Sequence, residues 1–193
     1  SVGRPSGCDI HILNDEAEPL PAGQLGKVFF SGREAVSYHN DPKKTAAARS
    51  PQGYSTMGDL GYLDADGYLF LTDREAFTII SGGVNVYPRE VEEAISTDSR
   101  VAEAAVFGSP DNDLGEVVTA VVELQRDCEP TLDIAKMIRE RLRVHLSPHK
   151  LPRKLAFVDQ MPLTDSGKIH KARLRETWES DCDHVYERTA LDE

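Results

Sequence analysis

Ser81-Gly82-Gly83-Val84-Asn85-Val86-Tyr87-Pro88-Arg89-Glu90-Val91-Glu92 is the stretch whose reading decides the fold. Its period changes halfway along. Thr78-Ile79-Ile80-Ser81 and Val84-Asn85-Val86-Tyr87 are short β-rich runs, and the paired glycines between them supply the positive φ of a tight hairpin. Pro88 then suits the first turn of a helix, and Val91, Ala94 and Ile95 recur at helical spacing.

Towards the C-terminus the alternation of element types continues. Residues 101–107 and 117–124 are rich in β-branched side chains and read as buried strands. Residues 130–146 read as the clearest helix, with Ile134, Ile138 and Leu142 on one stripe, joined by Met137. Residues 155–158 predict a last strand and residues 168–178 a terminal helix; the polar tail beyond is expected to fray. Such an order predicts a compact α+β lobe.

Towards the N-terminus the chain reads as β-structure. Val28-Phe29-Phe30 is a short apolar run between Gly26 and Ser31-Gly32. Gly61-Tyr62-Leu63 and Tyr68-Leu69-Phe70-Leu71 flank Asp64-Ala65-Asp66-Gly67, a hairpin turn. No Glu follows Asp64 and Asp66 at the spacing of a calcium loop. Composition shifts at Asp73-Arg74, which predicts a β-rich part over residues 1–73, the α+β lobe over 74–178 and a polar tail over 179–193.

A net charge of -11 argues against general nucleic-acid binding. No apolar run approaches the roughly 18 residues of a membrane helix. The start, Ser1-Val2-Gly3-Arg4-Pro5, lacks an initiator Met and a signal-peptide pattern and reads as an internal start within a longer protein. Cys8, Cys128 and Cys182 are widely spaced with no Cys-x-x-Cys, which favours a reducing, cytoplasmic setting over a disulfide framework or zinc site. Lys150, Arg153, Lys154, Lys168, His170, Lys171, Arg173 and Arg175 make a basic stretch in this acidic chain. It fits either an anionic partner such as a nucleotide, or a solvated basic face with helix-end charge matching.

Four segments carry candidate chemistry. Asp59, in Tyr54-Ser55-Thr56-Met57-Gly58-Asp59-Leu60-Gly61, can accept hydrogen bonds from vicinal ribose hydroxyls, or be an ordinary turn Asp. Arg74 offers a planar fork for phosphate or ribose oxygens, or a surface ion pair. Gly83 permits close approach of a ligand to the backbone, and equally a plain hairpin turn. In Pro162-Leu163-Thr164-Asp165-Ser166-Gly167-Lys168-Ile169, the slim Gly before Lys168 lets an ammonium project towards a transferring phosphoryl group. This is not a Walker loop, because the upstream Gly and the Ser/Thr after the Lys are missing.

In this order and at these intervals, the four segments resemble the adenylate-forming superfamily of acyl- and aryl-CoA synthetases, luciferases and peptide-synthetase adenylation domains. Gly23 to Val28, Tyr38 to Thr45, Val101 to Val106 and Asp111 to Glu116 also match its segments, so the resemblance covers nearly the whole chain. It implies that the β-rich part is the end of a large-domain barrel and that the α+β lobe is mobile. It implies ATP with Mg2+, a carboxylic acid and CoA as reactants: the acid attacks the α-phosphate, then a thiol displaces AMP. By motif position, Asp59 would bind ribose, Arg74 ribose and phosphate, and Lys168 the carboxylate and α-phosphate during adenylation. Gly83 would line the pantetheine channel, and Lys150 would meet CoA phosphates. The family's phosphate loop, acyl pocket and metal ligand lie upstream of Ser1, which predicts no synthetase activity from this polypeptide alone and leaves no metal ligand in it.

Two departures stand out. Glu75-Ala76-Phe77 follows Arg74, with Ala76 at the pivot position where the family has Asp or Lys, and Phe77 a candidate for packing between lobes. The Ser81 to Pro88 segment favours a CoA ligase over an adenylation domain that loads a carrier protein. A free-standing, non-catalytic lobe is the third reading, and the joint presence of Lys168 and Asp59 speaks against it.

Overall fold

The computed structural model describes residues 1–32, 35–182 and 184–192. The chain divides into two compact units, Ser1–Ala76 and Phe77–Glu193. The division falls a few residues beyond the change in composition at Asp73-Arg74, and the fold class is α+β.

The first unit is an antiparallel sheet in the order β1 (Asp9–Leu13), β2 (Gly26–Ser31), β3 (Ser55–Leu63) and β4 (Leu69–Arg74). Its core joins Ile12, Val28 and Leu69, with Phe30, Leu63 and Leu71 packed against them. The β3–β4 turn uses Asp64 as a local clamp: its carboxylate accepts from the amides of Asp66 and Tyr68 at 3.0 and 2.8 Å. A short helix, α1 (Pro42–Ala47), escaped the sequence reading although its signals are local. Asp41 caps it by accepting from the Lys44 amide at 2.9 Å, and Pro42 opens it.

The second unit opens with the expected hairpin, β5 (Ile79–Ser81) and β6 (Val84–Val86). Gly82 and Gly83 have φ of 57° and 80°, so both central turn residues are left-handed, as a two-residue hairpin loop requires. The chain continues through α2 (Pro88–Ile95), β7 (Val101–Asp111), β8 (Gly115–Leu124), α3 (Leu132–His145) and β9 (Lys154–Phe157). It ends in α4 (Lys171–Asp181), β10 (His184–Glu187) and α5 (Arg188–Asp192). The sheet order is β10-β9-β8-β5-β6, with β7 also paired to β8. Among the described residues only β8–β9 is parallel, joined by the α3 crossover.

The apolar runs in β7 and β8 require cover on both faces, because neighbouring side chains point to opposite sides of a sheet. Ala104, Val106, Val118, Val122 and Leu155 pack with Val91 and Ile95 of α2 and Ile138 and Leu142 of α3. Ala105, Phe107, Val121 and Ala156 pack on the other face with Leu174 and Trp178 of α4. Each large side chain buried this way contributes about 1.5–3 kcal/mol.

Three local expectations are corrected. Met137 does not join the α3 stripe: it is 48% exposed, and its place is taken by Ala135 and by Arg139, which is 4% exposed. The terminal helix does not start at Lys168 but at Lys171, because the His170 ring accepts from the Arg173 amide at 3.1 Å and caps it. The polar tail does not fray. β10 pairs antiparallel with β9, Leu191 of α5 is 5% exposed, and Asp192 accepts from Arg139 and Arg143. No helix among the described residues is long and apolar enough to cross a membrane.

Candidate functional site

In the first unit, β3 and β4 bring Asp59 and Arg74 together. They are direct cross-strand partners, and Arg74 Nε lies 3.4 Å from Asp59 Oδ1. The register shifts just past this pair, leaving Thr72 as the extra residue on β4; its hydroxyl donates to the Leu60 carbonyl at 3.2 Å. Gly61 sits at the shift because a Cβ there would clash with the Phe70 carbonyl oxygen. Asp59 is held at 17% side-chain exposure while Arg74 keeps 62%, so a fixed carboxylate is presented beside an accessible guanidinium. Glu75 is anchored in turn: Lys27 pairs with it at 2.7 Å and with Asp15 at 3.1 Å, and the bond to Glu75 raises the Lys27 pKa above the usual lysine value.

In the second unit, Lys168 lies in a hydrogen-bonded turn ahead of α4. The Thr164 amide donates to the Lys168 carbonyl at 2.7 Å, and the Thr164 hydroxyl accepts from the Lys168 amide at 3.2 Å. Gly167 has φ of 78°, the left-handed conformation that lets the turn close, and Leu163 and Ile169 bridge across it. Glu103, Glu123, Met161, Leu163 and Lys171 line the same cleft as Lys168, whose residue is exposed.

Four of the eight basic residues of this stretch, Lys150, Lys154, Lys171 and Arg175, are engaged by carboxylates or a ring. Lys150 holds both carboxylate oxygens of Glu90 at 2.7 and 2.6 Å. Lys171 pairs with Glu92 at 2.6 Å and covers the Phe77 ring, while Arg175 pairs with Glu116 at 2.6 Å. Lys154 lies over the Trp178 ring. Lys168 has no ion pair among the described residues. Sequence reasoning missed the acidic half of this arrangement, because Glu90, Glu92 and Glu116 lie far from their partners in sequence.

Gly83 sits at the tip of the β5–β6 hairpin, and no heavy atom lies within 4 Å of where its Cβ would be. The hairpin rests on the β7–β8 turn, whose Leu114 carbonyl accepts from the Gly82 amide at 2.9 Å. Asp111 shapes that turn by accepting from the amides of Leu114 and Asp113, and these bonds, the Leu114 one foremost, hold its carboxyl below the usual aspartate pKa. No group of three or more His, Cys, Asp or Glu side chains among the described residues could hold a metal ion.

The first unit thus carries a carboxylate beside an open guanidinium, and the second a slim Gly-Lys turn and a bare glycine hairpin. Residues 90–168 match the model of the AMP-binding enzyme C-terminal domain. Sulfoacetate–CoA ligase of Cupriavidus necator is 35% identical over 177 residues, covering 90% of this chain and 34% of that protein. ATP-bound MatB from Rhodopseudomonas palustris superposes with a TM-score of 0.80 at 32% identity, over 91% of this chain and 35% of that one. The o-succinylbenzoate CoA synthetase of Bacillus subtilis, in complex with its acyl-adenylate, gives 0.75 at 32% identity, over 88% and 34%. Residues 90–168 belong to the AMP-binding enzyme C-terminal domain family, and the chain corresponds to the C-terminal portion of adenylate-forming enzymes. It spans about a third of the length of the curated relatives it matches.

Proposed function

We propose that the chain works as part of an ATP-dependent, AMP-forming acyl- or aryl-CoA ligase. The observation that carries this reading is the contrast within the basic stretch. Lys150, Lys171 and Arg175 are engaged by carboxylates, whereas the Lys168 ammonium, at the end of a braced turn, has no carboxylate partner among the described residues. A cation held this way lowers the cost of charge developing on a phosphoryl group and its attacking carboxylate.

In the first half-reaction a carboxylate oxygen of the acid bonds to the α-phosphorus of ATP. The bond from that phosphorus to the bridging oxygen breaks, and pyrophosphate leaves. Lys168 bridges the carboxylate and an α-phosphate oxygen, Asp59 accepts from the ribose hydroxyls, and Arg74 donates to ribose and phosphate oxygens. In the second half-reaction the CoA thiol gives up its proton and attacks the acyl carbon, and AMP departs. Gly83 offers bare backbone to the pantetheine chain. Lys150 reaches CoA phosphates by exchanging Glu90 for them. Mg2+ bound with ATP would screen its phosphates; among the described residues no group of three or more His, Cys, Asp or Glu side chains would hold it. The acyl pocket and the remaining phosphate contacts come from the rest of the enzyme, without which this polypeptide is inactive. We place the enzyme in the cytoplasm, with fatty acids among its candidate substrates, on the strength of its widely spaced cysteines and its similarity to a Bacillus subtilis long-chain-fatty-acid–CoA ligase.

The test is the whole enzyme carrying Lys168→Ala, screened with carboxylic acids, ATP and CoA. Adenylation, read as pyrophosphate release, should fall far more than thioester formation from a supplied acyl-adenylate. Equal loss of both steps removes the role assigned to Lys168.

A further inference from the structure

Glu116 belongs to none of the motifs given a role above, yet three elements converge on its side chain. Oε2 accepts from the backbone amide of Ile80, in β5, at 3.2 Å. Oε1 accepts from the Arg175 guanidinium, in α4, at 2.6 Å. Gly108, across the strand pair in β7, leaves the space that the carboxylate fills: a Cβ there would lie 2.7 Å from Glu116 Cδ and Oε2 and 2.9 Å from Oε1. The Glu116 side chain is 25% exposed and Arg175 49%, so the carboxylate is the fixed end of the pair.

The position of this carboxylate matters because of what its two partners carry. Ile80 lies two residues before the Gly82-Gly83 turn, and among the described residues the ladder of β5 with β8 is the single Ser81–Gly115 pair. The β5–β6 hairpin thus meets β8 at its tip, through Ser81 and the Gly82 amide, and the Ile80 amide adds a further tether through Glu116. Arg175 lies one turn into α4, the helix that begins three residues after Lys168. An acidic side chain reaching both elements couples the two ends of the candidate site within this unit.

We propose that Glu116 is a positioning residue that clamps the Gly83 hairpin to α4 and so fixes the hairpin for the thiol-accepting half-reaction. The effect on thiol transfer rests on the ligase reading; the clamp itself does not. A residue that merely stabilised the fold would slow both half-reactions together. A positioning residue acts on the step that uses the hairpin.

Amide exchange on the 193-residue chain tests the clamp. In Glu116→Ala the Ile80 amide should exchange about tenfold faster, with the central β7 and β8 amides unchanged. Glu116→Gln, which keeps an acceptor of the same shape, should recover most of that protection. Arg175→Met should speed exchange at Ile80 less than Glu116→Ala does. Unchanged Ile80 exchange in Glu116→Ala overturns the proposal, as does equal acceleration across β7 and β8. In the whole enzyme, Glu116→Ala should raise the KM for CoA several-fold while pyrophosphate release keeps its rate, and Glu116→Gln should restore much of it. An equal fall in both half-reactions overturns the positioning role. Altered exchange in an enzyme whose wild type forms no acyl-adenylate sustains the clamp and removes the ligase reading instead.

Discussion

Arg74 and Asp59 face each other across β3 and β4, one residue from a register shift, with Nε 3.4 Å from Oδ1. Their exposures are unequal, 62% for Arg74 and 17% for Asp59, so the pair adds little to stability but offers an oriented, open donor. Arg74→Met in the whole enzyme should raise the KM for ATP about tenfold or more, the worth of a hydrogen bond to a charged group. The unfolding midpoint of the same variant should barely move. A large stability loss with unchanged ATP dependence would reassign the pair to structure.

Lys171 and Glu92 are a different kind of pair. Their side chains are 20% and 16% exposed, and Glu92 also accepts from the Val106 amide at 2.7 Å, tying α2 to β7 and to the start of α4. Lys171→Met should cost about 2 kcal/mol in urea unfolding, below the range for a fully buried pair because both ends retain some water. A loss under about 0.5 kcal/mol, the usual size of a surface change, would show the pair to be incidental.

Asp98 is 2% exposed and accepts from Arg100 at 2.9 and 2.7 Å, with Arg141 at 3.4 Å. The Arg100 hydrogen bonds hold its carboxyl below the usual aspartate pKa, against the opposing effect of burial. The stabilisation is therefore complete above the unfolded aspartate value of about 3.9 and is lost as pH falls through the lower folded one. Asp98→Asn should lower stability by about 3 kcal/mol at pH 7 and flatten the acid limb of the stability curve below about pH 4. Denaturant titrations from pH 7 to pH 2 check this; an unaltered acid limb in the variant would place the titration elsewhere.

The C-terminal strap should hold the α3 face together. Arg139 is 4% exposed and donates to the Pro152 carbonyl at 3.1 Å as well as to Asp192, whose carboxyl it keeps below the usual pKa. Asp192→Ala should destabilise the chain by about 2 kcal/mol, because it leaves a buried guanidinium short of its anion. Removing residues 184–192 should cost more, since Leu191 and Tyr186 also leave the core. Equal urea midpoints for the point variant and the truncation would show the strap to be held by charge alone.

Legibility followed the range of the interactions. The β5–β6 hairpin and α2 were readable because Gly82-Gly83 and Pro88 act on their own backbone. So were β7 and β8, since only a strand covered on both faces tolerates such continuous apolar runs. The α3 stripe was misread at Met137 and Arg139. Periodicity favoured the apolar side chain, but Arg139 is buried by Asp192, which arrives from the far end of the chain. β10 was invisible for the same reason: His184 to Glu187 becomes a strand by pairing with β9, not by its own propensity. Among the site residues, Gly83 and Lys168 were legible as turn chemistry, while the adjacency of Asp59 and Arg74 depends on strand register.

The sequence by itself determined the ordered motifs that mark the superfamily, and the places where only glycine serves, at Gly82, Gly83 and Gly167. These are properties of neighbouring residues and backbone dihedrals. Only the tertiary structure decided which cations are engaged: Lys150 by Glu90, Lys171 by Glu92 and Arg175 by Glu116, with Lys168 outside these pairs. The reason is that ion pairing depends on distance through space, and folding sets those distances between residues that the chain keeps far apart.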